Sequence, residues 1–180
     1  MLKRLLLAAT IFGLVPLSLI GAAWAHGPSR QKVVQSIEIN APADKVWAVI
    51  GNFQDASWIP AVAKTEGKGG NDANATRTLT LQSGGKIEEQ LDKYDAEGKT
   101  YGYEITKVDV KVLPVNDYSS HITVTANGDK STVEWKAAFY RGYMLNDPPP
   151  ELSDEVAFKA ITDLYTSTLA ALKKKIEGGS

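Results

Sequence analysis

The feature that most constrains this chain is its longest regular pattern, over residues 151–177. Leu152, Val156, Ala160, Leu164, Thr168, Leu172 and Ile176 recur four apart, with Ile161, Tyr165 and Leu169 beside them. That spacing gives one long helix with a broad apolar stripe. Lys173-Lys174-Lys175 complements the negative end of the helix dipole, and Gly178-Gly179 ends the pattern. A stripe of this length has to be buried against another layer, because tertiary packing supplies most of a helix's stability.

What precedes the helix has a period of two. "KVVQSIEIN" alternates through Val33, Ile37 and Ile39 and reads as a strand. In "APADKVWAVIGNF", Pro42 suits a helix start, Val46, Trp47 and Ile50 share a face, and Gly51-Asn52 closes it. "QDASWIP" reads as a turn or a second short helix, closed by Pro60. Strand-like runs follow at residues 62–67, 75–82, 86–94, 99–108, 118–126 and 131–143, before "NDPPP" breaks the chain. The links are short, and "NGDK" is a hairpin signal, so the strands pair antiparallel. The expected fold is α+β. A curved antiparallel sheet of about seven strands wraps around the long C-terminal helix, with one or two short helices after the first strand. Such a wrap can leave a cavity between helix and sheet.

The N-terminus reads as an address. Lys3 and Arg4 precede an almost wholly apolar run over residues 5–20, and Ala23-Trp24-Ala25 places small residues where a signal peptidase reads. The expectation is a signal peptide over residues 1–25, cut after Ala25, and one domain over 26–180 with a mobile tail at 26–31. An uncleaved anchor is the alternative, although the apolar run is at the short limit for spanning a bilayer. Export points to the periplasm, with no membrane attachment after cleavage. The chain has no cysteine, which excludes disulfides, thiol chemistry, a zinc–thiolate site and covalent haem attachment. Its formal charge is −1, and loss of Lys3 and Arg4 leaves −3, which argues against nucleic acid as a partner.

"IEINAPADKVWAVIGNFQDASWIPAV", "TRTLTLQSGGKIEEQLDKYDAEGKTYGYEI", "LPVNDYSSHITV" and "STVEWKAAFYRG" together resemble the SRPBCC superfamily. That superfamily includes START-like and Bet v 1-like proteins, and its fold is the helix grip. The "AP…VW" and "F…W.P" opening and the "R.L.L..G..I.E.L..YD" hairpin resemble the polyketide cyclase/dehydrase-like branch. The exported start "HGPSRQKV" and the size also resemble MxaD-like periplasmic proteins of methanol oxidation. That second resemblance implies an accessory role beside methanol dehydrogenase and a c-type cytochrome, with no catalytic residues, and no cofactor is expected.

Alternation predicts which polar side chains face inward. Arg77 shares a face with Leu79 and Leu81, and Glu89 with Ile87 and Leu91. A two-residue Gly84-Gly85 turn would put the two apolar sets on opposite faces. A three-residue Ser83-Gly84-Gly85 loop with a glycine bulge sets Leu81 opposite Ile87 and gives one apolar face. Arg77 is then a diagonal neighbour of Glu89 on the concave side. This pair is either self-satisfied or a polar anchor for a ligand in an apolar pocket. Tyr101 and Tyr103 share one face, and Trp135 and Phe139 another, while Gln35 is in phase with Val33. Trp58, beside Pro60, is expected to rim the cavity. These residues are core, pocket lining, or both.

Three functions compete. The first is a non-enzymatic protein, either an accessory factor holding a small hydrophobic ligand or a generic binder of hydrophobic ligands or lipids. The second is a cyclase or dehydratase, with Glu89 or a cavity tyrosine as acid or base. Arg77 is expected to lower the Glu89 pKa, which weakens that reading. The third is a copper site, in which a processed N-terminal His26 offers its amine and ring nitrogen and His121 completes a T-shape. His121 is expected to point outward, opposite Ile122 and Val124, so it is disfavoured as a cavity base. The competing reading of His26 is a tail without metal.

Overall fold

The computed structural model describes residues 27–178. The signal region and His26 lie outside the described residues. Strand β1 (Gln31–Ile39) leads into helix α1 (Ala43–Ile50). Strands β2 (Val62–Lys68), β3 (Thr76–Leu81), β4 (Lys86–Asp95), β5 (Thr100–Val108), β6 (Val115–Asn127) and β7 (Lys130–Arg141) follow. A 3-10 turn at Pro150–Leu152 precedes helix α2 (Asp154–Gly178). The seven strands form one curved antiparallel sheet in the order β1-β7-β6-β5-β4-β3-β2, with α2 packed mainly on β1 and β7. This is the helix grip.

Only one helix follows β1. "QDASWIP" folds as consecutive turns, with Asp55 N–H donating to Asn52 O (3.0 Å) and Ile59 N–H to Ala56 O (3.0 Å). The Asn52 and Asp55 side chains accept from the Gln54 and Ser57 amides, at 3.0 and 2.8 Å. Such local bonds offer the backbone an alternative to the helix ladder.

The apolar stripe of α2 is shifted from the simple four-apart row. The buried residues are Ala157, Ile161, Tyr165, Thr168, Leu169, Leu172 and Ile176. Leu152 lies before the helix, and Val156 is 36% exposed. Four residues turn a helix by more than a full circle, so a strict four-apart row drifts around the surface. The face that meets the sheet needs one step of three, from Tyr165 to Thr168.

The β3–β4 hairpin keeps the expected facing with a different register. Leu79 pairs with Ile87, and Arg77 lies directly opposite Glu89. The loop is Gln82-Ser83-Gly84, with Leu81 N–H donating to Gly85 O (2.8 Å) and Gly84 at φ +86° as the bulge glycine. Relative to the expectation, β4 has slid by two residues. A slide of two preserves which face every side chain takes, so alternation alone could not distinguish the two registers.

Strand β6 starts three residues earlier than its sequence pattern suggests. Asn116-Asp117 resembles a turn but forms a β-bulge, with one extra residue opposing Ala138–Tyr140 and Asp117 at φ +45°. Asn116 Nδ2 donates to Gly142 O (2.7 Å) and holds the bulge in place. The bulge switches the strand's phase: Val115 is buried before it, Tyr118 and Ser120 after it.

Candidate functional site

Two concavities compete for attention. The larger, about 420 Å³, is an open groove on the outer sheet face. Its floor is low because Gly102, Ser119 and Ala138 are small, and Lys32, Val34 and Lys136 stand around it. The smaller, about 190 Å³, lies between the sheet and α2. Leu79, Ile87, Leu113 and Leu164 are among its apolar walls, and Glu89, Tyr103, Tyr118 and Trp135 supply the polar groups. An apolar pocket with a few convergent polar groups is the arrangement that binds small molecules, so the inner cavity is the candidate site.

Glu89 reaches the wall through its pairing with Arg77. Arg77 Nε donates to Glu89 Oε2 at 2.6 Å, and both side chains are almost fully buried. The guanidinium also donates to Phe53 O at 2.7 Å and lies over the Phe53 ring, 4.2 Å from its centroid. The Tyr103 ring is also close, with its centroid 5.2 Å from the guanidinium carbon. Burial raises the Glu89 carboxyl above its ordinary pKa, and the charge and hydrogen bond of Arg77 only oppose that shift. This reverses the expected lowering: desolvation is the larger effect on a carboxylate so far from water.

A chain of hydroxyls runs from the cavity into the core. Tyr118 Oη is hydrogen-bonded to Tyr165 Oη, which lies 2.9 Å from Ser120 Oγ. Trp135 Nε1 donates to Ser120 Oγ at 2.8 Å, and Ser120 Oγ donates to Lys136 O at 3.1 Å. The Tyr165 ring stacks on Trp135, with centroids 3.9 Å apart. Burial pushes the Tyr103, Tyr118 and Tyr165 phenols well above their usual value and takes Tyr101 up to about 12. All four are neutral at any physiological pH.

Of the residues singled out from the sequence, Glu89, Tyr103 and Trp135 stand on the cavity wall. The other five do not. Arg77 is behind Glu89. Tyr101 packs in the core against Trp47, Phe53 and Tyr94. Phe139 lies behind Tyr118, stacked on it at 6.2 Å. Gln35 is opposite Trp135 in the β1–β7 ladder and half-buried. Trp58, expected at the rim, is buried against Trp135 at 5.3 Å, and its indole N–H has no partner among the described residues. Tyr118, Ser120 and Tyr165 were missed as site residues. Their signal was available in part: Ser120 is in phase with Ile122, and Tyr165 with Ile161 and Leu169.

His121 points to the outer groove. Its Nε2 is 2.8 Å from Thr100 Oγ1, and Thr100 donates to Ile122 O (2.8 Å), so the imidazole is the donor in its own contact. Burial, with Lys136 and Lys93 nearby, pushes the His121 pKa down. Among the described residues no three His, Asp or Glu side chains converge as a metal site. His26, the other half of the copper reading, lies outside the described residues.

A helix-grip fold with an apolar cavity under its long helix defines the class. The chain matches the family described as polyketide cyclase/dehydrase and lipid transport over residues 30–177, and it belongs to that family. A solved protein from Bacillus thuringiensis is 26% identical, with a TM-score of 0.70 over 82% of this chain and 99% of its own. XoxI from Bacillus cereus is 28% identical, with a TM-score of 0.68 over 81% of this chain and 95% of its own. Norcoclaurine synthase from Thalictrum flavum, solved with dopamine and hydroxybenzaldehyde, is 16% identical, with a TM-score of 0.63 over 99% of this chain and 98% of its own. At that identity the likeness concerns the fold alone. No curated protein matches the chain.

Proposed function

We propose that the protein binds a small, mostly apolar molecule in the cavity beneath α2 and carries out no chemistry on it. The cavity itself carries this reading: about 190 Å³ of apolar wall, on which Glu89 is already tied to Arg77. Its volume sets the ligand class. An engineered cavity of roughly 150 Å³ holds one benzene, so this one suits a single ring rather than a lipid or a polycyclic polyketide. The test is a melting-temperature series with toluene and with a long-chain fatty acid. Toluene should stabilise the protein and the fatty acid should not; Ala61→Phe, which fills the wall, should abolish the effect. No shift with any apolar ligand would overturn the binding reading.

A cyclase or dehydratase is the enzymatic alternative, and the raised Glu89 carboxyl is the observation in its favour, since a general acid needs that direction. Turnover of a cyclisable substrate, lost in Glu89→Gln, would establish it.

The exported start and the MxaD-like resemblance support a finer role. In this role the protein works in the periplasm as an accessory of methanol oxidation, aiding the contact between methanol dehydrogenase and its c-type cytochrome. The outer groove, with Val34 56% exposed between Lys32 and Lys136, offers a surface for such contacts. Pull-down of the processed protein with both partners at low salt tests it, and clean failure sinks it. A gene beside those of the dehydrogenase and cytochrome would support it.

A further inference from the structure

The hydroxyl chain behind the cavity has a direction, and protons can be counted along it. Trp135 Nε1 can only donate and Lys136 O can only accept, and Ser120 Oγ touches both. Ser120 has one proton. If it goes to Lys136 O, Tyr165 must donate to Ser120 and Tyr118 must donate to Tyr165. All four contacts are then filled by four protons. If Ser120 donates to Tyr165 instead, the chain reverses, Tyr118 points its proton into the cavity, and the Lys136 contact is lost. The first arrangement has one more hydrogen bond and is the favoured one. Tyr118 therefore shows the cavity only lone pairs.

Glu89 adds a second acceptor. Its Oε2 is taken by Arg77, and its Oε1 makes no hydrogen bond among the described residues. Tyr103, on the same wall, has one hydroxyl proton, which it gives to the neighbouring Tyr118 oxygen or to a ligand. The polar corner thus offers two acceptors and one donor inside an apolar cavity the size of a substituted ring.

We infer that the cavity selects a neutral single-ring molecule bearing a hydroxyl group, which donates to Tyr118 or Glu89 and accepts from Tyr103. This rests on the reading that the cavity binds a small apolar molecule, and it adds the polarity of the group recognised. A bare hydrocarbon leaves the acceptors unpaired. A carbonyl compound of the same size has no proton to give and also leaves both acceptors unpaired.

The test uses protein expressed from the full chain and three probes: phenol, toluene and benzaldehyde. Their affinities are measured by titration calorimetry or ligand-detected NMR. Phenol should bind about ten-fold more tightly than toluene, and benzaldehyde should bind more weakly than phenol. In Tyr118→Phe, which keeps the ring, the preference for phenol over toluene should fall to within about three-fold. Equal affinities for phenol and toluene, or tighter binding of benzaldehyde than phenol, would overturn the inference and leave the binding reading standing. No binding by any of the three would overturn both. Should Tyr118→Phe not fold, the ranking of the three probes on the unaltered protein decides.

Discussion

Arg77 and Glu89 each sit in phase with apolar neighbours, so alternation alone places two opposite charges on the inner face of the sheet. The fold makes them direct partners at 2.6 Å, both nearly sealed from water. Removing one partner leaves a buried charge uncompensated. Arg77→Met or Glu89→Gln should each cost about 3–5 kcal/mol in chemical denaturation. The double change Arg77→Met/Glu89→Leu should recover most of that loss, because a packed apolar pair has no charge to desolvate. His121 is the second residue with a readable state. Its folded pKa is lowered, so the fold favours the neutral ring. The stability this contributes is complete above the ordinary value of 6.5 and is lost as pH falls through the lowered one. NMR titration of the ring should give a midpoint below 6.5. What could not be seen at this scale is the hydroxyl chain. Ser120, Tyr118 and Tyr165 come from two elements, and no local pattern says that their oxygens meet.

Among the elements, α2 tests how far a periodic pattern can be trusted. Its existence, length and apolar character were legible, while its exact face was not. The row through Val156 and the row through Ile161 lie roughly 100° apart around the helix, and only contact with β1 and β7 decides which is buried. Ile161→Ala should therefore cost about 2–5 kcal/mol and Val156→Ala less than about 0.5 kcal/mol, measured by urea denaturation. The segment before α2 depends on Arg141 at the end of β7. This buried guanidinium donates to Tyr143 O (2.8 Å), Leu145 O (2.9 Å) and Asp154 Oδ2 (2.8 Å). It holds residues 143–145 against the first turn of α2. In Arg141→Met those acceptors lose their donor. Amide exchange over residues 142–154 should then speed up selectively, while the central strands stay protected. The bulge in β6 was hidden because Asn116-Asp117 has turn chemistry. Its effect on phase, however, is what turns Tyr118 toward the cavity.

For the molecule as a whole, the volume left under the helix decides the reading. A ligand that fits should stabilise by mass action, by about 2.7 kcal/mol at a hundred times its dissociation constant. A calorimetric melting series against toluene concentration checks this, and the shift should vanish in Ala61→Phe. The sheet's edge at β2 carries charged side chains, including the Lys64–Glu66 pair at 2.8 Å, of the kind that discourages edge-to-edge pairing. By itself the sequence determined the order and type of the elements, the antiparallel sheet, and the side of the sheet on which Arg77 and Glu89 lie. Those follow from short-range periodicity and turn chemistry, which every stretch of chain carries within itself. Only the tertiary structure decided the two-residue slide of β4, the rotation of α2, the meeting of Tyr118, Tyr165, Ser120 and Trp135, and the size of the cavity. Each depends on how separate elements seat against one another, and alternative seatings leave every local pattern unchanged.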